Sequence, residues 1–281
     1  MWLEALIFLL LAAAGTLIYG GFRWKVETRA LRERLRRLRQ PAGRPAKDLD
    51  TLPEPVKRFL RAALPAKPLR IEVARMAHEG TFNVSEDGER WFPFHSTQLV
   101  IMNRPGFDWD ARMSMAPGIN AYAHDAYVDG EGLLHVEALG VIPLVDLLGT
   151  PEIAQGELQR FLAESAWYPT NLLPGPNLQW EAIDAESARA TLRDGANTVS
   201  LIFHFQADGL IDRVNAEGRF RIVNGIAMPT PWECCVTKYE EHEGMQIPAE
   251  GEVSWLLPEG RRPYWRGRMT SIDYEFEKSA A

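Results

Sequence analysis

The spacing of apolar residues changes along the chain from a continuous run, through a helical period, to strict alternation. Residues 2–22 are almost wholly apolar, with Glu4 as their one charge. In residues 54–64 apolar side chains recur every three or four positions, which is typical of a helix with one buried face. After residue 70 apolar and polar residues alternate, as they do in strands with two unlike faces. The pattern predicts an apolar N-terminal helix, a short amphipathic helix and a large β domain.

Asp-Gly and Glu-Gly pairs separate the alternating runs, and these pairs suit the positive φ angles of tight hairpins. Strands joined by such turns are antiparallel neighbours. We predict about ten or eleven strands in two meanders, over roughly 70–140 and roughly 178–278. The clearest strand is 107–115, in which Asp108, Asp110 and Arg112 occupy the less apolar face.

A helix is predicted between the two meanders, near residues 151–168. Because a large twisted sheet tends to curl, this helix can cover the concave side of the sheet. The side chains expected to face the sheet are those of Leu158, Phe161, Leu162 and Ser165. Trp167 and Tyr168 would close the end of the helix, and Pro169 would stop it. The predicted fold is α+β and mostly β, an open half-barrel with a covering helix and an N-terminal transmembrane helix. Alternation fits a filled interior and a hollow cup equally well.

Residues 2–22 are long enough to cross a membrane, since a helix rises about 1.5 Å per residue and the hydrocarbon core is about 30 Å thick. Lysine and arginine residues follow this run instead of preceding it, which argues against a cleaved signal peptide. We therefore expect a single-pass anchor in the inner membrane. The positive-inside rule places the body in the cytoplasm, with a periplasmic body as the alternative.

Three regions follow from these patterns. Residues 1–22 form the transmembrane anchor, and residues 51–281 form a single half-barrel domain. Residues 23–50 lie between them as a basic juxtamembrane helix and a Pro/Gly linker. The helix is expected to lie along the anionic leaflet surface, or to act as a solvated spacer.

Charge is distributed unevenly along the chain. Residues 1–50 carry a net charge of +5, whereas the remainder carries −12. The acidic body lacks the basic face that binding of nucleic acid requires, so we expect no nucleic-acid partner. The two cysteines, Cys234 and Cys235, are adjacent and provide neither a disulfide framework nor a zinc-binding spacing.

The common catalytic and cofactor motifs are absent from the sequence, so no cofactor or metal is expected. His135 and Glu137 share a face of a strand and can form a hydrogen-bonded pair. On the covering helix, Arg160 and Glu164 are spaced to pair with each other. Glu164 could instead meet an arginine of the sheet, because a buried carboxylate needs such a partner.

Aromatic residues are concentrated in the last third of the chain and could form one wall of a cup. They are Trp232, Tyr239, Trp255, Tyr264, Trp265 and Tyr274. The candidate ligand-binding residues of the whole chain are Trp109, Arg112, His124, Arg160, Glu164, Trp167, Tyr168, Arg189 and Trp255.

Several blocks of the sequence resemble a bacterial family of membrane-associated proteins of unknown function. The most specific blocks are PGFDWDARM (105–113), GELQRFLAESAWYPTNLLP (156–174) and IPAEGEVSWLLPEGRRPYWRGRMTSIDYEF (247–276). The resemblance covers about residues 50–276 and implies no catalytic residue. The predicted architecture also resembles the half-barrel of periplasmic lipoprotein carriers, a likeness of fold alone that conflicts with the cytoplasmic placement.

The favoured hypothesis is a membrane-anchored protein that binds a lipid or another apolar ligand in the cup. One alternative is an enzyme that uses Glu164 with a nearby histidine, aspartate or arginine. Another is a structural or assembly protein of the inner membrane.

Overall fold

The β-strands within the described residues form one antiparallel sheet of 13 strands. The structure is a computed structural model that describes residues 1–41, 49–85, 88–223 and 226–278. In chain order the strands are β1 Ile71–Asn83, β2 Trp91–Ile101, β3 Gly106–Ala116, β4 Ile119–Val128, β5 Glu131–Ala138, β6 Ile142–Leu148, β7 Leu178–Ala182, β8 Ser187–Asp194, β9 Asn197–Phe205, β10 Ile211–Val223, β11 Ile226–His242, β12 Met245–Leu257 and β13 Gly260–Phe276. The α-helices within the described residues are α1 Trp2–Leu38, α2 Glu54–Ala63 and α3 Pro151–Ala163.

Two meanders make up the sheet, as the sequence predicts. Strands β1 to β6 form one half and β7 to β13 form the other, and within each half every strand pairs with its neighbour in the chain. The halves are joined through β1 and β13, the first and last strands. The sheet has more strands than predicted, and β6 lies beyond the expected end of the first meander. It is an edge strand whose side chains are mostly exposed, so apolar–polar alternation does not mark it.

Glycines allow close approach at the junction of the two halves. Gly80 of β1 lies opposite Gly267 of β13. A Cβ atom on Gly80 would collide with the carbonyl oxygen of Arg266, so any larger residue would push the two strands apart.

Helices α2 and α3 cover the concave face of the sheet. Helix α3 packs against β4 and β5 of one half and against β9 and β10 of the other. Its side chains Leu158, Phe161 and Leu162, with Ser165 just beyond its end, are fully buried, which confirms the predicted covering face. The start of α3 lies so close to β5 that a Cβ atom on Gly132 would meet the backbone of Ile153.

Helix α3 is shorter than predicted. It begins after the N-cap Thr150, whose hydroxyl oxygen accepts a hydrogen bond from the Ile153 amide at 3.3 Å. It ends at Ala163 and tightens into a 3₁₀ turn over Glu164–Ala166, where the Trp167 amide binds the Glu164 carbonyl at 2.9 Å. Glu164 therefore lies at the end of the helix and not within it.

Helix α1 runs without a break from Trp2 to Leu38, but its two parts have different surroundings. Large apolar side chains of the first part are exposed, whereas Trp24 and Leu35 of the second part are fully buried against the convex face of the sheet. None of the helices described is both long enough and apolar enough to cross a membrane.

Part of the basic segment at and just after the end of α1 packs on the sheet, and its predicted place along a leaflet surface stays a prediction. Arg23, Arg32 and Arg39 form ion pairs with carboxylates of the sheet. The acidic domain itself therefore takes up much of this positive charge. Residues 42–48 of the predicted linker lie outside the described residues.

Candidate functional site

A cavity of about 640 Å³ lies between the concave face of the sheet and α3, and we call it the cup. The interior is therefore hollow, which decides between the two arrangements that the sequence left open. The aromatic side chains that dominate its wall are those of Trp109, Trp167, Trp232, Trp255, Tyr264 and Trp265. Four of the six predicted wall residues are among them; Tyr239 and Tyr274 bind backbone carbonyls elsewhere.

The register of the first meander places a row of side chains across the concave face. Gln98 of β2 lies opposite Trp109 of β3, and Trp109 lies opposite Asp125 of β4. All three line the cup. Because side chains alternate along a strand, the neighbouring Asp108 and His124 point to the convex face instead.

Helix α3 contributes a second row of polar side chains to the cup. Glu157, Arg160 and Glu164 follow one another at spacings of three and four residues and so share one face of the helix. Together with Gln98 and Asp125 they form a polar cluster within an otherwise apolar wall.

Arg160 lies at the centre of this cluster. Its Nε donates to Glu164 Oε1 at 2.7 Å, and its Nη1 donates to Asp125 Oδ2. The guanidinium carbon lies 5.0 Å from the ring centre of Trp109, within the range of a cation–π contact. Burial lowers the pKa of Arg160, but the surrounding carboxylates outweigh burial, so the pKa is raised and the group stays charged.

Glu164 pairs with Arg160, as the spacing predicts. Its second oxygen, Oε2, accepts a hydrogen bond from Gln98 Nε2 at 2.6 Å. Both carboxylate oxygens are therefore engaged, and this favours a positioning role over acid–base chemistry. The alternative partners, Arg112 and Arg189, lie elsewhere. Arg112 stacks over the Tyr122 ring, and Arg189 forms an exposed pair with Glu217 at 3.0 Å.

A second ion pair joins α3 to the other half of the sheet. Arg219 of β10 donates to Glu157 Oε1 at 3.2 Å, and its guanidinium carbon lies 5.2 Å from the Trp232 ring centre. Burial raises the pKa of Glu157 well above its ordinary value, and the nearby Asp125 raises it further, whereas Arg219 and Arg160 lower it. The raised pKa favours the protonated form of Glu157, and a proton held there can be shared with Asp125.

Some polar atoms of the cup have no protein donor. Among the described residues, none donates a hydrogen bond to Gln98 Oε1, Asp125 Oδ1 or Glu157 Oε2. His78, which also lines the cup, has neither ring nitrogen hydrogen-bonded. Burial lowers the pKa of His78 to about 3, so the imidazole is neutral.

The structure brings five of the nine candidate residues together at the cup: Trp109, Arg160, Glu164, Trp167 and Trp255. The other four are placed elsewhere. Arg112 and Arg189 lie as described above, and His124 is buried on the convex side under α1. Tyr168 is fully buried beside Phe161, whose carbonyl accepts its hydroxyl hydrogen bond at 2.9 Å.

Sequence reasoning missed several polar residues of the cup, namely His78, Gln98, Asp125, Glu157 and Arg219. One signal was present for Glu157, because it shares a helical face with Arg160 and Glu164. A second was present for Asp125, since it must face the opposite way from His124.

The convex face carries a separate polar network under α1. His124 Nδ1 is 2.7 Å from Asp108 Oδ1, and His124 Nε2 is 3.1 Å from the Thr28 hydroxyl. Trp24 Nε1 donates to Asp110 Oδ1 at 2.8 Å, and Arg32 Nε donates to Asp108 Oδ2 at 2.7 Å. These bonds attach the second part of α1 to the sheet.

The predicted pair of His135 and Glu137 is confirmed at 3.1 Å, close to this network. Within the part of the chain that the structure describes, no group of three or more histidine, cysteine or acidic side chains is arranged to hold a metal ion. Cys234 and Cys235 are free thiols, and burial raises the pKa of Cys234 to about 12.

The model of the family DUF6920, a family of unknown function, matches residues 50–274. The chain belongs to this family. The match includes α2, α3 and all of the sheet except the last two residues of β13, so the cup lies within the DUF6920 domain. No curated protein sequence matches the chain.

Two solved structures are similar to the DUF6920 chain. A LolA superfamily protein from Nitrosomonas europaea is 12% identical, with 79% of this chain and 92% of that chain covered and a TM-score of 0.41. A DUF1329 family protein from Desulfovibrio piger is 9% identical, with 80% of this chain and 92% of that chain covered and a TM-score of 0.39. The resemblance to the fold of lipoprotein carriers that the sequence suggests is thus found again. It is a similarity of fold alone.

Proposed function

We propose that this protein binds a lipid or another apolar molecule in the cup, and that the first part of α1 attaches it to the inner membrane. The observation that carries the proposal is the cavity of about 640 Å³. Ligand sites typically have volumes of about 300–1,000 Å³, with mostly apolar walls and a few convergent polar groups.

Two tryptophans of the cup, Trp167 and Trp232, have their indole N–H groups paired within the protein. Trp167 Nε1 donates to the Pro248 carbonyl at 3.0 Å, and Trp232 Nε1 donates to the Tyr264 hydroxyl at 2.9 Å. Since these donors are already paired, the rings offer apolar area for an acyl or alkyl chain.

Binding can be tested by quenching of tryptophan fluorescence. The full chain, purified in lipid nanodiscs, would be titrated with an alcohol that carries a brominated undecyl chain, since bromine quenches nearby tryptophans. Ala123 lines the cup, so Ala123→Phe should fill part of the cavity and abolish saturable quenching. Ala116→Phe makes the same change at an exposed position and should bind as the natural chain does.

Two results would count against the binding function. One is quenching that rises linearly without saturation in the natural chain, and the other is equal quenching in the natural chain and Ala123→Phe. A single stoichiometric protein partner recovered in place of lipid would favour the assembly alternative.

Membrane attachment is supported by the exposure of the first part of α1. Trp2, Leu3, Phe8, Ile18 and Phe22 are each more than half exposed, although they are large and apolar. Exposed apolar area of this extent is characteristic of a surface that contacts a membrane or a partner. The arginines that follow place the body on the cytoplasmic side in this proposal.

Attachment and sidedness need separate measurements. We expect the natural chain to stay with membranes after washing at alkaline pH, and the triple variant Phe8→Ser, Leu11→Ser, Ile18→Ser to be released. Fusing a reporter that is active only in the periplasm to the C-terminus should give no signal. Release of the natural chain would refute the attachment, whereas periplasmic activity would refute only the orientation.

A further inference from the structure

The cup contains a group of buried acceptor oxygens that no protein donor reaches. Gln98 and Glu157 are 2% and 5% exposed, and both line the cavity. Gln98 Oε1, Asp125 Oδ1 and Glu157 Oε2 receive no hydrogen bond from any residue that the structure describes. Leaving a buried acceptor without a donor is unfavourable, so three such atoms in one cavity call for a chemical explanation.

A proton on Glu157 explains only part of this group. When Glu157 is protonated, its hydrogen can be shared with Asp125 and satisfies one lone pair there. Gln98 Oε1 gains nothing from that proton, because the amide group of Gln98 is held in place by its hydrogen bond to Glu164. The site therefore still lacks hydrogen-bond donors.

The two arginines bonded to the polar cluster are already engaged and do not offer a site for an anion there. Arg221 and Arg262 also line the cup, but among the described residues neither forms a hydrogen bond with the cluster. Arg160 binds the carboxylates of Glu164 and Asp125 and lies over the Trp109 ring. Arg219 binds Glu157 and lies over the Trp232 ring. An anionic head group would have to displace these carboxylates or lie beside them, and both alternatives are unfavourable in a buried site.

We propose that the polar cluster of the cup recognises the head group of an apolar ligand that donates hydrogen bonds, either a hydroxyl or a primary ammonium group, and discriminates against an anionic head group. This inference rests on the proposed function and names the chemical class of its ligand. The alkyl part packs on the tryptophan faces, and the donor group binds Gln98 Oε1 and the carboxyl pair of Asp125 and Glu157.

The test uses a panel of four probes that share one brominated undecyl chain and differ only in the head group. The head groups are a primary alcohol, its methyl ether, a primary amine and a sulfate. Each affinity is measured on the full chain in nanodiscs. The quenching seen with Ala123→Phe under the same conditions comes from probe in the bilayer and is subtracted. We expect the alcohol, the amine or both to bind about five- to tenfold more tightly than the ether, which is the effect of about one buried hydrogen bond.

The panel separates failure of this inference from failure of the binding function. If the ether or the sulfate binds as tightly as both the alcohol and the amine, the cup binds apolar chains but the head-group inference is wrong. If none of the four probes binds saturably, both are wrong. The relative affinities of alcohol and amine decide which of the two donor groups the site accepts.

A conservative variant locates the effect at the carboxyl pair. Glu157→Gln supplies an N–H donor to Asp125 from the protein itself, so the advantage of the donor probe over the ether should shrink while the affinity of the ether is unchanged. Glu217→Gln makes the same chemical change at a position whose side chain is 72% exposed and should keep the full preference. An undiminished preference in Glu157→Gln would remove the carboxyl pair from the proposal.

Discussion

The two faces of strand β4 carry polar networks that differ in one respect. His124 and Asp125 are adjacent in the chain, yet His124 points outward beneath α1 and Asp125 points inward to the cup. In the outer network both nitrogens of His124 and both oxygens of Asp108 are hydrogen-bonded. In the inner network one oxygen of Asp125 is bound by Arg160, whereas Gln98 Oε1 receives no hydrogen bond from any residue that the structure describes.

The difference indicates what each network does. A fully bonded buried network fixes two elements relative to each other, whereas one with unpaired acceptors is costly unless another molecule completes it. The outer network thus fastens α1 to the sheet, and we propose that the inner network positions groups for a ligand. The following variants test this division of roles.

The largest effect is expected from Arg160→Met. Removing the guanidinium leaves the carboxylates of Asp125 and Glu164 buried without their cation, which costs about 3–5 kcal/mol. Urea denaturation of the full chain would measure the loss. Arg189→Met, which removes an exposed pair with Glu217, serves as the control and should cost no more than about 1 kcal/mol. Similar losses for the two variants would mean that the inner cluster is not a buried charge network.

A smaller effect is expected from Asp108→Asn in the outer network. It weakens the bonds to His124 and Arg32, and hydrogen bonds to charged groups contribute about 1.5–3 kcal/mol. Amide hydrogen exchange should become faster in residues 23–38, while binding of the brominated alcohol in the cup stays the same. Loss of binding together with unchanged exchange would reverse the roles that we assign to the two faces.

The pKa of Glu157 leads to a prediction of stability against pH. Because this pKa is raised in the folded state, the unfolded chain loses the proton first, and stability falls from about pH 4.5 upward until the folded carboxyl ionises. Glu157→Gln removes this loss and should gain about 1 kcal/mol at alkaline pH, with little change at acid pH. Denaturation midpoints of the natural chain and of Glu157→Gln, measured between pH 4 and 9, would show this difference. If the two midpoints change with pH in parallel, Glu157 is ionised throughout that range.

The smallest effect concerns His124 and also depends on pH. Burial lowers the pKa of His124, but Asp108 outweighs burial, so the folded pKa is raised. The stabilisation that charged His124 contributes is therefore complete below about pH 6.5. It is lost as the pH rises through the pKa of the folded state, which lowers the free energy of unfolding by about 1 kcal/mol. Exchange in residues 23–38, corrected for the intrinsic rate, should increase over that range in the natural chain and not in His124→Gln.

The fold could be predicted from the sequence because its signals are local. Alternation, hairpin pairs and the apolar side of α3 each depend on a few neighbouring residues. Strand β6 could not be predicted in this way, because an exposed edge strand does not need alternating apolar and polar residues. The continuation of α1 onto the convex face depends on ion pairs such as Arg32 with Asp108, which lie far apart in the chain.

The site could be predicted only in part. Trp109, Arg160 and Glu164 were identified from strand and helix periodicity, and they meet in the cup. Periodicity shows that His124 and Asp125 face opposite ways, but it does not show which of them faces inward. That choice is made by the curvature of the sheet and by the side on which α3 crosses, and neither is a local property.

The pairing of β1 with β13 has a consequence for how the protein is made. During synthesis β1 leaves the ribosome some two hundred residues before its partner, which ends at Phe276. Until then the first meander has an open edge at β1 and only half of the cup, and an unpaired edge of this kind invites association with other chains. Synthesis of β13 thus completes the cup, and a chain truncated before β13 would lack the part of its wall that contains Trp265.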